Sequence, residues 1–353
     1  MNSFISMKDF TKKEILEILE IAKNLKCKTN NTLMSNDIVS SLFFEPSTRT
    51  RLSFTSAAYR LGGKVLGFDS PDATSLKKGE TLRDTIKMTS AYSDVIVMRH
   101  PRDGAARFAE DMASVPVINA GDGSNEHPSQ TLLDLYTIQE EMKGIENLKV
   151  AFVGDLKYGR TVHSLTKALS MFNCEFFYVA PDVIQIPEYI LKELKEKNIK
   201  FTLVDDFKDI LKEIDVLYMT RIQKERFENI DEYEQVKNVY EINKSNIIGK
   251  CKEEMIILHP LPRVDEISID LDDTKHALYF KQASNGVPVR EAMFAIALDK
   301  FEFKREKKSN EVKKNEKVIC SNKNCITHFE VTENKTISKN NEKNCYYCGR
   351  EVK

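Results

Sequence analysis

The 353-residue sequence contains no run of the roughly 18 apolar residues that a membrane-spanning helix requires. The first residues also lack the apolar core of a secretion signal, so we expect neither a membrane span nor export. An excess of positive charge is missing too, because 53 Lys and Arg residues are balanced by 54 Asp and Glu residues. Nucleic-acid-binding proteins usually carry a basic surface, so this balance argues against nucleic acid as a partner.

Several patterns of common enzyme classes are also absent. Neither GxxxxGK[ST] nor GxGxxG, which bind nucleotide phosphates, occurs in the sequence. No Ser–His–Asp or Cys–His order stands out that would indicate a covalent nucleophile. An enzyme that positions its substrates and stabilises charge therefore fits these residues better than one that forms a covalent intermediate.

Seven cysteines in a chain without an export signal indicate a reducing compartment, so we expect a cytoplasmic protein. Four of them form two pairs near the C-terminus: Cys320, Cys325, Cys345 and Cys348. Two such pairs within a short segment are typical of a structural zinc site. Four thiolates would complete the tetrahedral shell and leave no position for catalysis. Four unpaired thiols on a flexible tail are the alternative.

What the chain does contain is a regular alternation of short apolar runs and helical patterns. We predict buried strands in seven runs: Ile38–Phe44, Val95–Met98, Val115–Ile118, Val150–Val153, Phe176–Val179, Asp215–Met219 and Met255–Leu258. Such alternation is typical of an α/β fold with mostly parallel sheets. Helices are predicted over Gln130–Met142, which could join two domains, and over Val287–Phe303. The charged stretch after Phe303 is typical of a solvated linker.

Polar side chains follow the predicted strands, at the point where each strand ends. Several of these strand ends lead to an arginine within a few residues, as Arg99 and Arg221 illustrate. Ligands of open α/β sheets bind at the carboxyl ends of the strands. Any one arginine could be a solvated surface charge, but several at equivalent positions indicate a site for a strongly anionic ligand.

The segment Ser47-Thr48-Arg49-Thr50-Arg51 directly follows the first of these strands. We predict Ser47 as the N-cap of a helix over Thr48–Leu61 that Gly62-Gly63 ends. A phosphate at that N-terminus would meet backbone N–H groups and the positive end of the helix dipole. The hydroxyl groups and the planar Arg49 fork would add donors. A capped helix with a solvated arginine is the alternative.

Five motifs, in order along the chain, resemble a known family. STRTR at 47–51 is similar to the carbamoyl-phosphate signature of the transcarbamoylases. NAGDGSNEHPSQTLLDLYTI at 119–138, VGDLKYGRTVHSL at 153–165, YMTRIQKER at 218–226 and HPLPRVDEI at 259–267 resemble aspartate carbamoyltransferase catalytic chains. The resemblance covers about residues 1–303, and the order of the motifs makes it specific.

This resemblance implies two doubly wound, parallel-sheet α/β domains with the active site between them. The spacing of the four cysteines adds a small C-terminal zinc-binding β domain to this prediction. The implied division is a carbamoyl-phosphate-binding domain (1–132, completed by helix 287–303), an aspartate-binding domain (133–286), a charged linker (304–317) and a zinc-binding domain (318–353). It implies an enzyme that carbamoylates L-aspartate, an early step of pyrimidine synthesis, with no catalytic metal or organic cofactor.

The family's site residues can be transferred onto matching positions. Carbamoyl phosphate would be bound by Ser47, Thr48, Arg49, Thr50, Ser75, Arg99, His127, Gln130, Leu261 and Pro262. Aspartate would be bound by Lys78, Arg160, Arg221 and Gln223. The catalytic groups would be Arg49, Thr50, Lys78, Arg99 and His127, with His127 a neutral donor because nearby arginines disfavour another positive charge.

The family's active site is shared between subunits, which implies a homo-oligomer that is at least a trimer. Ser75 and Lys78 would reach into a neighbouring subunit's site, and Lys77 leaves the lysine assignment open by one position. Ornithine carbamoyltransferase is the alternative activity within the family. Ornithine enzymes usually carry cysteine where this chain has Pro262, and Arg221 suits a second carboxylate, so aspartate is preferred.

Residues 318–328 look like the zinc subdomain of the family's regulatory chain. Here that subdomain is fused directly to the catalytic part, and the regulatory nucleotide-binding domain is missing. We therefore expect the tail to bridge or stabilise catalytic subunits rather than to transmit a nucleotide signal. Because zinc ribbons often bind nucleic acid and the linker is lysine-rich, a binding module on an inactive transferase scaffold is the alternative.

Overall fold

The computed structural model describes residues 1–27, 31–70, 74–222, 227, 230–237, 239–306, 312–314, 318–339 and 342–352. The chain forms two compact units: Met1–Ser129 with Val287–Lys353, called unit 1 here, and Gln130–Gly286, called unit 2. Among the described helices, none has a stretch long and apolar enough to cross a membrane.

The described α-helices and strands run in the following order. The helices are α1 (Lys12–Lys26), α2 (Thr48–Arg60), α3 (Leu82–Ser90), α4 (Ala105–Met112), α5 (Pro128–Met142), α6 (Arg160–Leu169), α7 (Glu188–Glu196), α8 (Ile230–Val236), α9 (Lys244–Ile247) and α10 (Tyr279–Ala297). The strands are β1 (Ile38–Phe43), β2 (Lys64–Phe68), β3 (Val95–His100), β4 (Val117–Asp122), β5 (Lys149–Val153), β6 (Glu175–Val179), β7 (Phe201–Val204), β8 (Val216–Met219), β9 (Ile256–Leu258), β10 (Val312–Lys314), β11 (Lys335–Lys339) and β12 (Glu342–Cys345).

Unit 1 is built on a four-stranded parallel sheet of order β2-β1-β3-β4. Its central strands are almost continuously buried, as expected for strands covered on both faces.

Local signals set the ends of the first helices. The Thr11 hydroxyl and the Glu14 carboxylate form a reciprocal capping box at the start of α1. Gly62 follows the C-cap of α2; its φ of +85° suits glycine, and a Cβ there would lie 2.0 Å from the Asn31 carbonyl oxygen.

Unit 2 is built on a five-stranded parallel sheet of order β7-β6-β5-β8-β9. β5, β6 and β8 carry apolar side chains on both faces, and stacked rings of Phe152, Phe176 and Tyr178 fill one of them. This arrangement leaves β5, β8 and β9 side by side, so their carboxyl ends lie at one edge.

The C-terminal tail forms a small antiparallel sheet, β10-β11-β12, within unit 1. It packs against α3 and α4 through one continuous apolar cluster. Its members from the two sides include Leu82, Ile86, Ala105, Phe108, Cys325, Ile326 and Tyr347. The tail is therefore docked on its own chain, where the side chains of α3 and α4 supply the core that so short a segment cannot build by itself.

The structure corrects several expectations about elements. The strands β2 and β7 were not anticipated, because their partly exposed residues lack the apolar run that marks the central strands. The predicted helix Val287–Phe303 is wrong in its bounds: α10 begins at Tyr279 and ends at Ala297. Its first turns bury the amides of Gln282 and Asn285, which interrupt the apolar periodicity. Beyond Ala297, Asp299 adopts a φ of 53° that ends the helix.

Part of the expected linker is also structured. Val312–Lys314 pairs with β11, and the Arg305 guanidinium lies over the Phe10 ring, 4.3 Å from its centroid. The backbone N–H of Glu306 donates to Glu14 at 2.9 Å. These contacts attach the start of the tail segment to the N-terminal helix region of the same unit.

Candidate active site and metal centre

The first candidate site lies at one edge of the unit 1 sheet. In the strand register Phe43 pairs with Arg99, and His100 pairs with Asp122. The segments that follow β1 and β4 therefore emerge beside the end of β3. This topology brings the 47–50 motif, Arg99 and the segment before His127 to the same edge of one sheet.

The N-terminus of α2 is suited to an anion. Ser47 occupies the N-cap position with extended backbone, yet its hydroxyl makes no capping hydrogen bond within the described residues. By contrast, Thr11 and Thr81 cap α1 and α3 with their side chains. The first-turn N–H groups of α2 therefore point outward without a side-chain cap, and the helix dipole favours negative charge there.

Two guanidinium groups lie close together beside this helix end. Partial burial of the guanidinium and the neighbouring Arg99 charge lower the pKa of Arg49, although the residue as a whole is exposed. Arg99 is nearly buried, and its Nη2 lies 3.4 Å from Glu45 Oε1. The second Glu45 carboxylate oxygen is buried without a hydrogen-bond partner among the described residues. The Glu45 carboxylate offsets only one of these two positive charges, so the pair keeps a net positive charge that suits a phosphate group.

The remaining unit 1 residues of the predicted site have different exposures. Thr50 is buried, Ser47 is half-buried, and Thr48 and Arg49 are exposed. His127 is buried, with its Nδ1 at 3.3 Å from the Ser129 hydroxyl. The structure thus combines accessible donors from α2 with a histidine whose ring is fixed by its surroundings.

In unit 2 the expected aspartate ligands come from neighbouring strand ends. Val153 pairs with Met219 in the register of β5 and β8. Arg160 opens α6 after β5, and Arg221 follows β8, so both start from the same edge of the sheet. Both side chains are half-buried. Gln223 lies outside the described residues, so its predicted role stays a prediction. Gln130 donates to Asp134 Oδ1 at 2.9 Å.

His259 holds the loop that carries Leu261 and Pro262, although the sequence did not predict this role for it. The backbone N–H of Leu261 donates to His259 Nδ1 at 2.7 Å. Because Nδ1 is an acceptor, the proton of a neutral His259 lies on Nε2, which donates to Glu266 Oε1 at 2.8 Å. In the sequence, His259 is recognisable only as the first residue of the HPLPRVDEI motif, and that position does not reveal its contact with Glu266.

Ser75 and Lys78 lie in a 3-10 turn, Ser75–Lys78, on the surface of unit 1. Both side chains are exposed, as is that of Lys77. Exposure is compatible with reaching another subunit, but it does not distinguish Lys77 from Lys78. The assignment of this turn to a neighbouring site therefore stays a prediction.

The four tail cysteines lie together in a cluster that could hold a metal ion. Their Sγ atoms all lie within 4.8 Å of one another, and the four thiols are buried. Cys320 and Cys348 are 3.4 Å apart, and Cys325 and Cys345 are 3.8 Å apart. Four sulfurs at about 2.3 Å from a tetrahedral zinc would be about 3.8 Å apart, whereas a disulfide would need about 2.05 Å. The donor set and its spacing fit a four-thiolate metal centre.

Two family models match most of the chain. The model of the aspartate/ornithine carbamoyltransferase carbamoyl-P binding domain matches residues 2–140, and that of the Asp/Orn binding domain matches residues 146–297. The chain belongs to the aspartate/ornithine carbamoyltransferase family. The catalytic subunit of aspartate carbamoyltransferase from Brachyspira hyodysenteriae is 61% identical over 357 residues, covering 100% of this chain and 99% of that one. The Thermococcus onnurineus catalytic subunit is 51% identical, covering 83% of this chain and 96% of that one.

Solved structures of this family share the fold. The catalytic subunit of M. jannaschii aspartate transcarbamoylase is 52% identical, with a TM-score of 0.79, covering 85% of this chain and 99% of that one. The Trypanosoma cruzi enzyme in complex with carbamoyl phosphate and aspartate is 39% identical, with a TM-score of 0.78, covering 83% of this chain and 95% of that one. The predicted fold, two parallel-sheet α/β domains with a small C-terminal four-cysteine β domain, is confirmed, and the sheet of that small domain is antiparallel. Only the Brachyspira match among these four extends across the tail.

Proposed function

We propose that this enzyme transfers the carbamoyl group of carbamoyl phosphate to the amino group of L-aspartate, giving N-carbamoyl-L-aspartate and phosphate. The observation that carries the proposal is the Arg49–Arg99 pair at the uncapped N-terminus of α2. Relatives of high identity are named aspartate carbamoyltransferase catalytic subunits, which confirms the predicted activity. Unit 1 carries most of the groups proposed for carbamoyl phosphate, and unit 2 carries most of those proposed for aspartate.

The chemistry follows from where charge develops. The aspartate amine attacks the carbamoyl carbon, a C–N bond forms, the C–O bond to phosphate breaks, and the amine proton leaves with the phosphate. Thr50, Arg99 and His127 stabilise the negative charge that grows on the carbonyl oxygen. Arg49 and the α2 N-terminus stabilise the departing phosphate, together with the hydroxyls of Ser47 and Thr48.

The second substrate is held by its two carboxylates. Arg160 and Arg221 bind them as planar forks, with Gln223 alongside, and so aim the amine at the carbonyl carbon. The backbone carbonyls of Leu261 and Pro262 accept from the amine and from the carbamoyl amide. The His259 contacts hold this loop in one conformation, which preorganises those acceptors.

A direct assay tests the activity. Purified full-length protein is mixed with carbamoyl phosphate and L-aspartate, and carbamoyl-aspartate and phosphate are quantified. L-Ornithine replaces aspartate in the matched control, where no product is expected. Folded protein that releases no phosphate with aspartate would refute the proposal, and turnover with ornithine alone would assign the chain to the other branch of the family.

Arg221→Ala is expected to raise the KM for aspartate by more than tenfold and to change the KM for carbamoyl phosphate less than twofold. A lost charge-assisted bidentate pair is worth about 1.5–3 kcal/mol, or roughly 10- to 150-fold in affinity. The control is Arg60→Ala, which removes an arginine from the last turn of α2. Equal effects on both substrates would contradict the assignment of Arg221 to aspartate.

The four-cysteine centre is proposed to hold structural zinc. Thiolates are ligands that select zinc, and a complete four-sulfur shell leaves no open position, so the ion stabilises the tail and supplies no catalytic group. No catalytic metal or organic cofactor enters the proposed reaction. A cytoplasmic location, and the domain bounds given above, stay predictions.

We also propose that the protein is an oligomer of at least three chains, in which Ser75 and Lys78 complete a neighbouring site and the tails stabilise the assembly. Deleting residues 304–353 is expected to lower the melting temperature, because it exposes the apolar faces of α3 and α4. Solution mass, measured by light scattering, shows whether the tails also join subunits. An unchanged mass together with an unchanged melting temperature would refute this role of the tail.

A further inference from the structure

The tail contacts unit 1 through the segment between its first two cysteines. The backbone N–H of Asp103 donates to the Asn324 carbonyl at 3.1 Å, and the N–H of Ile326 donates to the Asp103 carbonyl at 2.9 Å. Asp103 and Cys325 thus pair like two residues of a parallel sheet. The tail is therefore attached to the loop that follows β3, four residues beyond Arg99.

The Asp103 side chain joins two different segments. Its carboxylate is 2% exposed. Oδ1 accepts from the Ser124 backbone N–H at 2.8 Å and from Asn324 Nδ2 at 3.1 Å. Oδ2 accepts from the Ser124 hydroxyl at 3.2 Å and from Asn322 Nδ2 at 2.9 Å. Each oxygen therefore takes one donor from the tail and one from Ser124, so the tail cannot shift without moving the carboxylate against Ser124.

Ser124 belongs to a tightly held loop, residues 122–126, that leads directly to His127. The Asp122 carboxylate accepts from the N–H groups of Gly104 at 2.7 Å and Glu126 at 3.0 Å. The backbone N–H of Gly123 donates to the His100 carbonyl at 2.8 Å. Gly123 lies so close to Asp103 that a Cβ would be 1.9 Å from its Oδ1. The loop is thus fixed by Asp103 on one side and by Asp122 within it.

We propose that Asp103 is a positioning residue through which the docked tail holds the 122–126 loop, and with it His127, in the arrangement that binds carbamoyl phosphate. This inference rests on the proposed function, which assigns His127 to that substrate. Cys320 and Cys325 flank Asn322 and Asn324, so a filled four-cysteine centre would hold both amides in place. The tail then contributes to substrate affinity as well as to stability.

The main test compares two tail variants in the full-length, metal-loaded protein. Asn324→Ala removes one tail donor from Asp103, together with the hydrogen bonds of the Asn324 side chain to Arg102 and to the Pro101 carbonyl. The control, Lys335→Ala, removes a different docking contact, the 2.8 Å ion pair with Asp111 on α4. Carbamoyl phosphate affinity is measured by calorimetry without aspartate, kcat and KM by steady-state kinetics, and metal content by elemental analysis. We expect Asn324→Ala to raise the Kd for carbamoyl phosphate by about three- to tenfold with kcat within about twofold, and Lys335→Ala to leave that Kd unchanged.

A second variant changes the other partner of Asp103, Ser124. Ser124→Ala removes the hydroxyl donor and lies away from the cysteines, so it decides the question even if Asn324→Ala loses its metal. We expect a similar rise in Kd, and a double variant whose effect is smaller than the sum of the two, because both act through one carboxylate.

Unchanged carbamoyl phosphate affinity in Ser124→Ala would overturn the inference. An equal loss of affinity in Lys335→Ala would overturn it as well, because the effect would then belong to docking in general and not to Asp103. Wild-type protein that fails to bind carbamoyl phosphate would instead refute the proposed function, so the two failures are distinguishable.

Discussion

Arg49→Ala is expected to lower kcat by about 10²- to 10³-fold without lowering the melting temperature. The guanidinium lies beside Arg99, and burial together with that neighbouring charge lowers its pKa. Arg99 is paired with Glu45, whereas Arg49 has no ion pair among the described residues, so removing the Arg49 side chain does not weaken the fold. With phosphate bound, the same group stabilises the charge on the leaving oxygen, which is where the rate is lost.

The matched control is Arg51→Ala, two residues along the same helix. Arg51 pairs with Asp69 at 3.3 Å, and both side chains are well exposed. Surface pairs of this kind contribute about 0–1 kcal/mol, so activity should stay within about twofold of wild type. Steady-state kinetics and thermal unfolding are measured on all variants. A kcat for Arg49→Ala within tenfold of the wild-type value would contradict the phosphate role.

Cys325→Ser is expected to abolish metal binding and to unfold the tail. Cys325 is fully buried in the apolar cluster that joins the tail to α3 and α4. Structural zinc contributes on the order of 10 kcal/mol to the folding of such small segments, far more than the tail's own contacts supply. Metal content should fall from one ion per chain to nearly none, and proteolysis should cleave within residues 312–352, while unit 2 keeps its unfolding temperature.

Cys27→Ser is the matched control, because Cys27 is an exposed thiol at the end of α1. It should keep the metal content, protease resistance and melting temperature of the wild-type protein. If Cys325→Ser retained one metal ion per chain and resisted protease as the wild type does, the four-cysteine centre would not be what holds the tail together.

Much of the fold could be predicted from local patterns. The central strands β1, β3, β5 and β8 carry runs of mostly apolar, buried residues, because both of their faces are covered, and so their positions could be predicted. The edge strands β2 and β7 are partly exposed and carry no such run. Exposure at the edge of a sheet removes the signal on which the strand prediction depends.

The candidate site shows the same division. Ser47 to Thr50, Arg99 and the four cysteines were identified from residue type and spacing, since their chemistry is carried by the side chains themselves. The supporting contacts could not be found in this way. His259 with Glu266, and Asp103 with Ser124 and Asn324, are pairs whose partners lie at separations from 7 to 221 residues.

The sequence by itself determined the kind of domain, the helix end proposed to bind an anion and the thiol cluster, because each depends on residues that are close together in the chain. Only the tertiary structure decided that the tail docks on α3 and α4 of its own unit and that Asp103 links it to the loop before His127. It also decided that α10 begins at Tyr279, where Gln282 and Asn285 bury their amides. A buried polar group is stable only with a hydrogen-bond partner, and folding, not spacing, determines which partner it meets.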